Sequence, residues 1–197
     1  MSAALAVFML SGCSRKVSIR SGTIVFLGDS ITAGYGLEPE QAYPALIKIE
    51  GMTMLNLGVS GSKTADGLRR LQAYFDGGGT PRLVVIALGA NDILQGVAPS
   101  EVEANLKSAV LECRSHGVPV MLCGIRIPLN IGGEEIFKNV ADACRVPLLP
   151  DLMQGEETQE ELLQADGMHP NVAGQKLIAE KMQAALLKSF SFDAREQ

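Results

Sequence analysis

The sequence has no tryptophan, and aromatic residues make up only 5% of its 197 positions. That shortage leaves the core to aliphatic side chains and counts against a sugar-binding groove, which would want more aromatic and polar groups. Basic residues are outnumbered, with 17 Lys and Arg against 22 Asp and Glu and a formal net charge of −5. A nucleic-acid partner, which needs a basic stripe, is excluded on that balance. No apolar run reaches about 18 residues, so no ordinary membrane-spanning helix is expected. Histidine occurs only twice and cysteine four times. No C-x-x-C pair occurs. A metal site is therefore not expected, and nothing calls for a cofactor. Repeats, linkers and low-complexity tracts are missing too.

What is present is a chain that is 47% hydrophobic and long enough for one domain with one sizeable core. Its N-terminus, "MSAALAVFMLSGC", is short and apolar, although no Lys or Arg precedes the apolar run. It reads as the apolar region of an export signal. Leu10-Ser11-Gly12-Cys13 resembles a bacterial lipobox, which implies lipid on Cys13, a periplasmic location and anchoring to a membrane. Residues 1–22 are accordingly expected to be a signal, lipobox and polar tether, 23–190 the folded domain, and 191–197 a tail. The remaining Cys113, Cys123 and Cys144 lie in apolar patterns and are expected as buried free thiols.

Five runs rich in Val, Ile and Leu predict strands: 23–28, 52–58, 82–89, 118–125 and 146–150. They are nearly continuous rather than alternating, the pattern of strands buried on both faces. Helical patterns lie between them, beginning at 41, 64, 99 and 171. The clearest opens at Pro99, carries Glu101 and Glu103 at its positive end and closes at Gly117. This alternation predicts a three-layer α/β/α domain with a five-stranded parallel, flavodoxin-like sheet.

In such sheets functional groups gather beyond the carboxyl ends of the strands. Gly28-Asp29-Ser30 follows the first strand, Gly58 to Gly61 the second, and Gly89 to Asp92 the third; Asp166 to Pro170 comes late in the chain. A serine hydroxyl is a poor nucleophile without an adjacent base. Of the two histidines, His116 falls between a helix and the start of a strand, at the far edge of the sheet, and is expected as a solvated helix-end residue. His169 lies near Asp166, and an Asp beside a His fixes its tautomer and stabilises the imidazolium. Ser30, His169 and Asp166 thus form a candidate triad. The Ser30 N–H, the Gly61 N–H and the Asn91 side-chain amide are candidate oxyanion donors. Asp29 is expected to hold its turn through backbone hydrogen bonds, Asp92 to cap a turn, and Gly58 to serve as a turn glycine.

The segments "FLGDSITAGYG", "NLGVSGSKT", "LGAND" and "DGMHPNVAG" resemble, in order and spacing, the four blocks of the SGNH hydrolases of the GDSL esterase/lipase superfamily. The similarity covers roughly 23–187 and extends to a branch of bacterial periplasmic esterases with thioesterase, arylesterase and lysophospholipase activity. It departs at Ile31, where the family has Leu, and at Ala90, where that branch has a second Gly. The resemblance implies Ser30 as nucleophile, His169 as base oriented by Asp166, and Ser30, Gly61 and Asn91 as the oxyanion hole. It implies a monomeric esterase acting on acyl esters or thioesters, lysophospholipids at a membrane surface among them.

Other readings stand beside this one. A carbohydrate or peptidoglycan O-acetylesterase would share the machinery. A phosphate-binding flavodoxin-like module is disfavoured: "GDSITAGYG" has no Lys, is neither G-x-G-x-x-G nor a P-loop, and Asp29 would repel phosphate. A non-catalytic surface lipoprotein would not need every catalytic residue type to be present. Ile93, Leu94, Ile127 and Leu129 are expected at the rim of the site, where an apolar wall would suit an aliphatic acyl group.

Overall fold

The computed structural model describes residues 16–125, 134–155 and 159–194. Cys13, Ile127 and Leu129 lie outside the described residues.

Strands β1 (Val17–Arg20), β2 (Gly22–Gly28), β3 (Met52–Gly58), β4 (Leu83–Ala87), β5 (Val120–Cys123), β6 (Leu148–Leu149) and β7 (Phe190–Asp193) alternate with helices. The helices are α1 (Ser30–Ala33), α2 (Tyr43–Leu46), α3 (Thr64–Asp76), α4 (Ala90–Leu94), α5 (Pro99–Ser115), α6 (Glu134–Cys144) and α7 (Val172–Ser189). β2 to β6 form one five-stranded parallel sheet in the order β3-β2-β4-β5-β6. The doubly wound architecture expected from the alternation is present. Successive side chains of a strand point to opposite faces, so a central strand here must be apolar on both. Ile24 and Phe26 pack with Tyr43, Ile178 and Met182 on one face. Val25 and Leu27 pack with Leu71, Val110 and Phe137 on the other.

Two segments differ from expectation. Residues 17–20, expected as tether, pair as a parallel two-stranded sheet with 190–193, of which 191–193 are expected as tail, Val17 opposite Phe190 through Arg20 opposite Asp193. Burial of Ile19 and Phe190 in the first core cluster explains why this ribbon forms. The helical pattern beginning at 41 yields a 3-10 turn at Pro39–Gln41 and only the short α2.

Candidate active site

β2 ends at Gly28 for a steric reason. A Cβ there would lie 2.0 Å from Thr32 Oγ1, so only glycine lets α1 fold back on the strand. Asp29 caps α1, its Oδ1 accepting from the Ile31 N–H at 3.1 Å. A four-residue helix cannot persist on propensity. The cap contributes about 1 kcal/mol, and burial of the Ile31 side chain about 1.5–3 kcal/mol more. The turn therefore holds Ser30 as the first residue of α1, two positions past the strand's end. Asp29 is itself buried, its Oδ2 has no hydrogen-bond partner, and burial pushes its carboxyl up to about 6.

The late loop is set by α7. Asn171 caps that helix, accepting from the Ala173 and Gly174 N–H groups, and donates to the carbonyls of Glu161 and Leu163. Leu163 and Pro170 form an antiparallel bridge that closes the loop between them. Gln164 donates its backbone N–H to the His169 carbonyl at 2.7 Å and its side-chain amide to the Tyr35 carbonyl at 2.7 Å. The loop carrying His169 is thereby fastened to the loop that follows Ser30.

Ser30 Oγ lies 3.0 Å from His169 Nε2, and His169 Nδ1 lies 2.7 Å from Asp166 Oδ2. Asp166 Oδ1 also accepts the backbone N–H groups of Met168 and His169, at 2.9 and 3.0 Å. The His169 backbone N–H, then its ring, then the Met168 N–H hold the Asp166 carboxyl down at about 2. The His169 side chain is only 17% exposed. Tyr35 lies against it, with ring centroids 4.6 Å apart, a neighbour that the sequence pattern did not single out.

Gly61 and Asn91 come together at the same end of the sheet. The Val59 N–H donates to the Gly28 carbonyl at 3.1 Å, bringing the turn after β3 beside the end of β2. The Asn91 amide donates to the Ser62 carbonyl at 3.0 Å, one residue past Gly61. One amide hydrogen is committed to that bond, leaving the second to point elsewhere. Asn91 stands in α4 rather than in a simple turn. Asp92 caps at long range: it is buried and accepts the Thr64 N–H at 2.8 Å and the Thr64 hydroxyl at 2.6 Å.

Three expectations are corrected. Gly58 is not needed for a turn: a Cβ there would lie 2.3 Å from the Ala33 nitrogen, so it permits close packing of α1 on β3. Ile93 does not face the rim but packs into the second core cluster, while Leu94 is exposed. His116 is not merely solvated: its ring stacks on Phe75 at 4.0 Å and pairs with Glu112 at 3.3 Å. With Arg20 and Arg82 it lines a cavity of about 490 Å³ at the amino ends of β4 and β5, away from Ser30. Cys113, Cys123 and Cys144 are buried free thiols, as expected. Burial pushes the Cys113 thiol up to about 12. Among the described residues no group of three or more His, Cys, Asp or Glu is arranged to hold a metal ion.

A sequence profile of the GDSL-like Lipase/Acylhydrolase family matches residues 26–177. Esterase TesA of Pseudomonas aeruginosa is 36% identical over 190 residues, covering 88% of this chain and 94% of that protein. An arylesterase of Vibrio mimicus is 33% identical over 188 residues, covering 89% and 94%. Thioesterase 1/protease 1/lysophospholipase L1 of Escherichia coli is 33% identical over 181 residues, covering 87% and 86%. Among solved structures, TesA superposes with a TM-score of 0.78 at 33% identity, covering 85% of this chain and 99% of the other. Esterase EstA from Pseudoalteromonas, inhibited by monoethylphosphonate, gives 0.79 at 29%, covering 84% and 97%.

Proposed function

The chain belongs to the GDSL-like lipase/acylhydrolase family and is an ester hydrolase, and from that premise we propose that Ser30, His169 and Asp166 are its catalytic triad. The observation that carries this is the unbroken relay from Ser30 Oγ to His169 Nε2 at 3.0 Å and from Nδ1 to Asp166 at 2.7 Å. His169 Nε2 takes the Ser30 proton as Oγ attacks the acyl carbonyl, and Asp166 stabilises the imidazolium that forms. The oxyanion accepts from the N–H groups of Ser30 and Gly61 and from the free hydrogen of the Asn91 amide. His169 returns the proton to the leaving alcohol, phenol or thiol. Water, deprotonated by the same imidazole, then hydrolyses the acyl-enzyme and frees Ser30.

The substrate is an acyl ester or thioester, and we assign it an aliphatic acyl chain, lysophospholipid included. Val59, Leu94 and Met168 are large hydrophobics left exposed on the segments that carry Gly61, Asn91 and His169. That apolar margin favours a hydrocarbon over a sugar acetate. A chromogenic ester series from acetyl to palmitoyl tests it, together with a fluorophosphonate probe. Turnover that rises from the acetyl to a longer chain, and labelling at Ser30 alone and lost in Ser30→Ala, are expected. A rate highest at acetyl would overturn the substrate reading, and labelling at another residue the triad.

We further propose that Cys13 is lipidated and holds the enzyme at a membrane face of the periplasm. The lipobox-like tetrapeptide supports this, and only Ser14 and Arg15 separate Cys13 from the described residues. More than one acyl chain would anchor stably, at about 0.8 kcal/mol per buried CH₂. Cys13→Ser should move the enzyme from the membrane to the soluble fraction with specific activity unchanged. Mass spectrometry of the bacterially expressed protein checks the modification; an unmodified Met1 would overturn it.

A further inference from the structure

The turn that carries Gly61 has little packing to hold it. Gly61 sits at φ +75°, and a Cβ built there would meet nothing within 4 Å. Val59, Ser60 and Gly61 are all exposed. Its position must come from hydrogen bonds, and several converge on one neighbour. The Ser62 N–H donates to the Val59 carbonyl at 3.1 Å, and the Ser62 carbonyl accepts from Asn91. The buried Ser62 hydroxyl accepts from Arg70 Nη1 at 3.0 Å.

Arg70 stands on α3, half-buried, and its guanidinium reaches three acceptors at once. Besides the Ser62 hydroxyl, Nη2 donates to the Gly28 carbonyl at 2.9 Å and Nε to the Leu57 carbonyl at 2.9 Å. Gly28 and Gly58 are register partners at the ends of β2 and β3. One planar group therefore spans the strand end that leads into Ser30, the strand end that leads into the Gly61 turn, and the turn itself. These three hydrogen bonds go to two carbonyls and a hydroxyl, none to a carboxylate. Burial eases its pKa down from the usual arginine range, against the pull of Asp66 and Asp29. A lysine ammonium is a compact charge on a flexible stem and cannot reproduce a rigid three-way fork.

We propose that Arg70 is a positioning residue for the oxyanion hole, setting the Gly61 N–H against the Ser30 N–H by clamping the two strand ends to the turn. The inference rests on the assignment of Ser30, Gly61 and Asn91 to that chemistry. Loss of a whole oxyanion donor costs about 10²–10³ in rate, and a donor displaced rather than deleted loses part of that. Arg70 acts through Gly61 and touches no reacting atom, so its loss falls on kcat.

The test compares Arg70→Lys, Arg70→Ala and Ser62→Ala with wild type in kcat, KM, thermal midpoint and the rate of Ser30 phosphonylation by the fluorophosphonate probe. Both Arg70 variants are expected to lose about 10–100-fold in kcat with KM within about threefold, and phosphonylation should slow in parallel. Ser62→Ala removes a single acceptor and should lose a smaller factor in the same two rates, which keeps the test open should an Arg70 variant fold poorly. Guanidinium ion, far below denaturing concentration, should restore part of the rate to Arg70→Ala and nothing to Ser62→Ala. Unchanged kcat in folded Arg70→Lys and Ser62→Ala, with only the thermal midpoint lowered, would overturn the proposal and leave a purely structural clamp. Wild-type labelling at Ser30 in the same assay confirms the underlying triad separately.

Discussion

Asp166 grips His169 at two points, the ring through Oδ2 at 2.7 Å and the backbone N–H through Oδ1 at 3.0 Å. The two bonds fix the imidazole's position along the chain and its rotation about it. Asp166→Asn keeps the size of the side chain but can offer an amide hydrogen to Nδ1, favouring the wrong tautomer. Its kcat should fall by up to about 10⁴. Ser30→Ala and His169→Ala should each fall further, to about 10⁶ below wild type, and their double mutant should add little because they serve one proton transfer. His116→Ala should leave kcat unchanged. Steady-state kinetics of the set decide this; a silent His169→Ala would remove the base from the scheme.

Asn91→Ala should lower kcat by about 10²–10³ with little change in KM. The substitution removes an oxyanion donor and also the bond to the Ser62 carbonyl. A raised KM with kcat intact would make Asn91 a substrate-binding residue instead.

Asp29 should give the stability curve a feature near pH 6. Burial raises its carboxyl from 3.8 to about 6 in the folded state, so the fold binds that proton more tightly than the unfolded chain. Its contribution therefore turns less favourable as pH rises from 3.8 through about 6, and favours the fold most below that window. Asp166 has the opposite sign: its stabilisation is present above 3.8 and lost as pH falls toward about 2, outside that window. Denaturant midpoints between pH 4 and 8 should show a drop through about pH 6 in wild type that Asp29→Asn lacks, and the Asp29 carboxyl carbon should titrate there by NMR.

Two nearby glycines, one ending β3 and one in the turn after it, should respond differently to alanine. At Gly58 the methyl would run into the backbone of α1, 2.3 Å from the Ala33 nitrogen. Stability should fall by about 1–3 kcal/mol, and activity with it, because α1 begins at Ser30. At Gly61 the space is open and the φ of +75° is the obstacle, a cost of about 1–2 kcal/mol in the left-handed region. Urea midpoints rank the pair, and kcat tells whether the Gly61 amide has moved.

Much of this was legible in the residues themselves. Near-continuous apolar runs such as "TIVFLG" and "RLVVIALG" mean strands buried on both faces, since only a covered sheet can use them. The Gly-Asp-Ser, Gly-Ala-Asn-Asp and Asp-Gly-Met-His stretches bring their chemistry as residue types, and the rule of strand ends sets them on one side. These are local properties, period and turn composition, and a sequence carries them whole. The tertiary structure alone decided which groups touch. Ser30 and His169 are 139 positions apart, and their 3.0 Å contact depends on Gln164 and Asn171 fastening one loop to another. The pairing of 17–20 with 190–193 likewise joins the two ends of the described chain through burial that neither segment encodes alone. Arg70 reads as one more polar position on an amphipathic helix, and Ile93 as one more aliphatic beside Leu94. Whether such a side chain finds three carbonyl and hydroxyl acceptors, a core or open water is a question of long-range geometry, because hydrogen bonds and packing depend on the partner's position, and local pattern does not specify the partner.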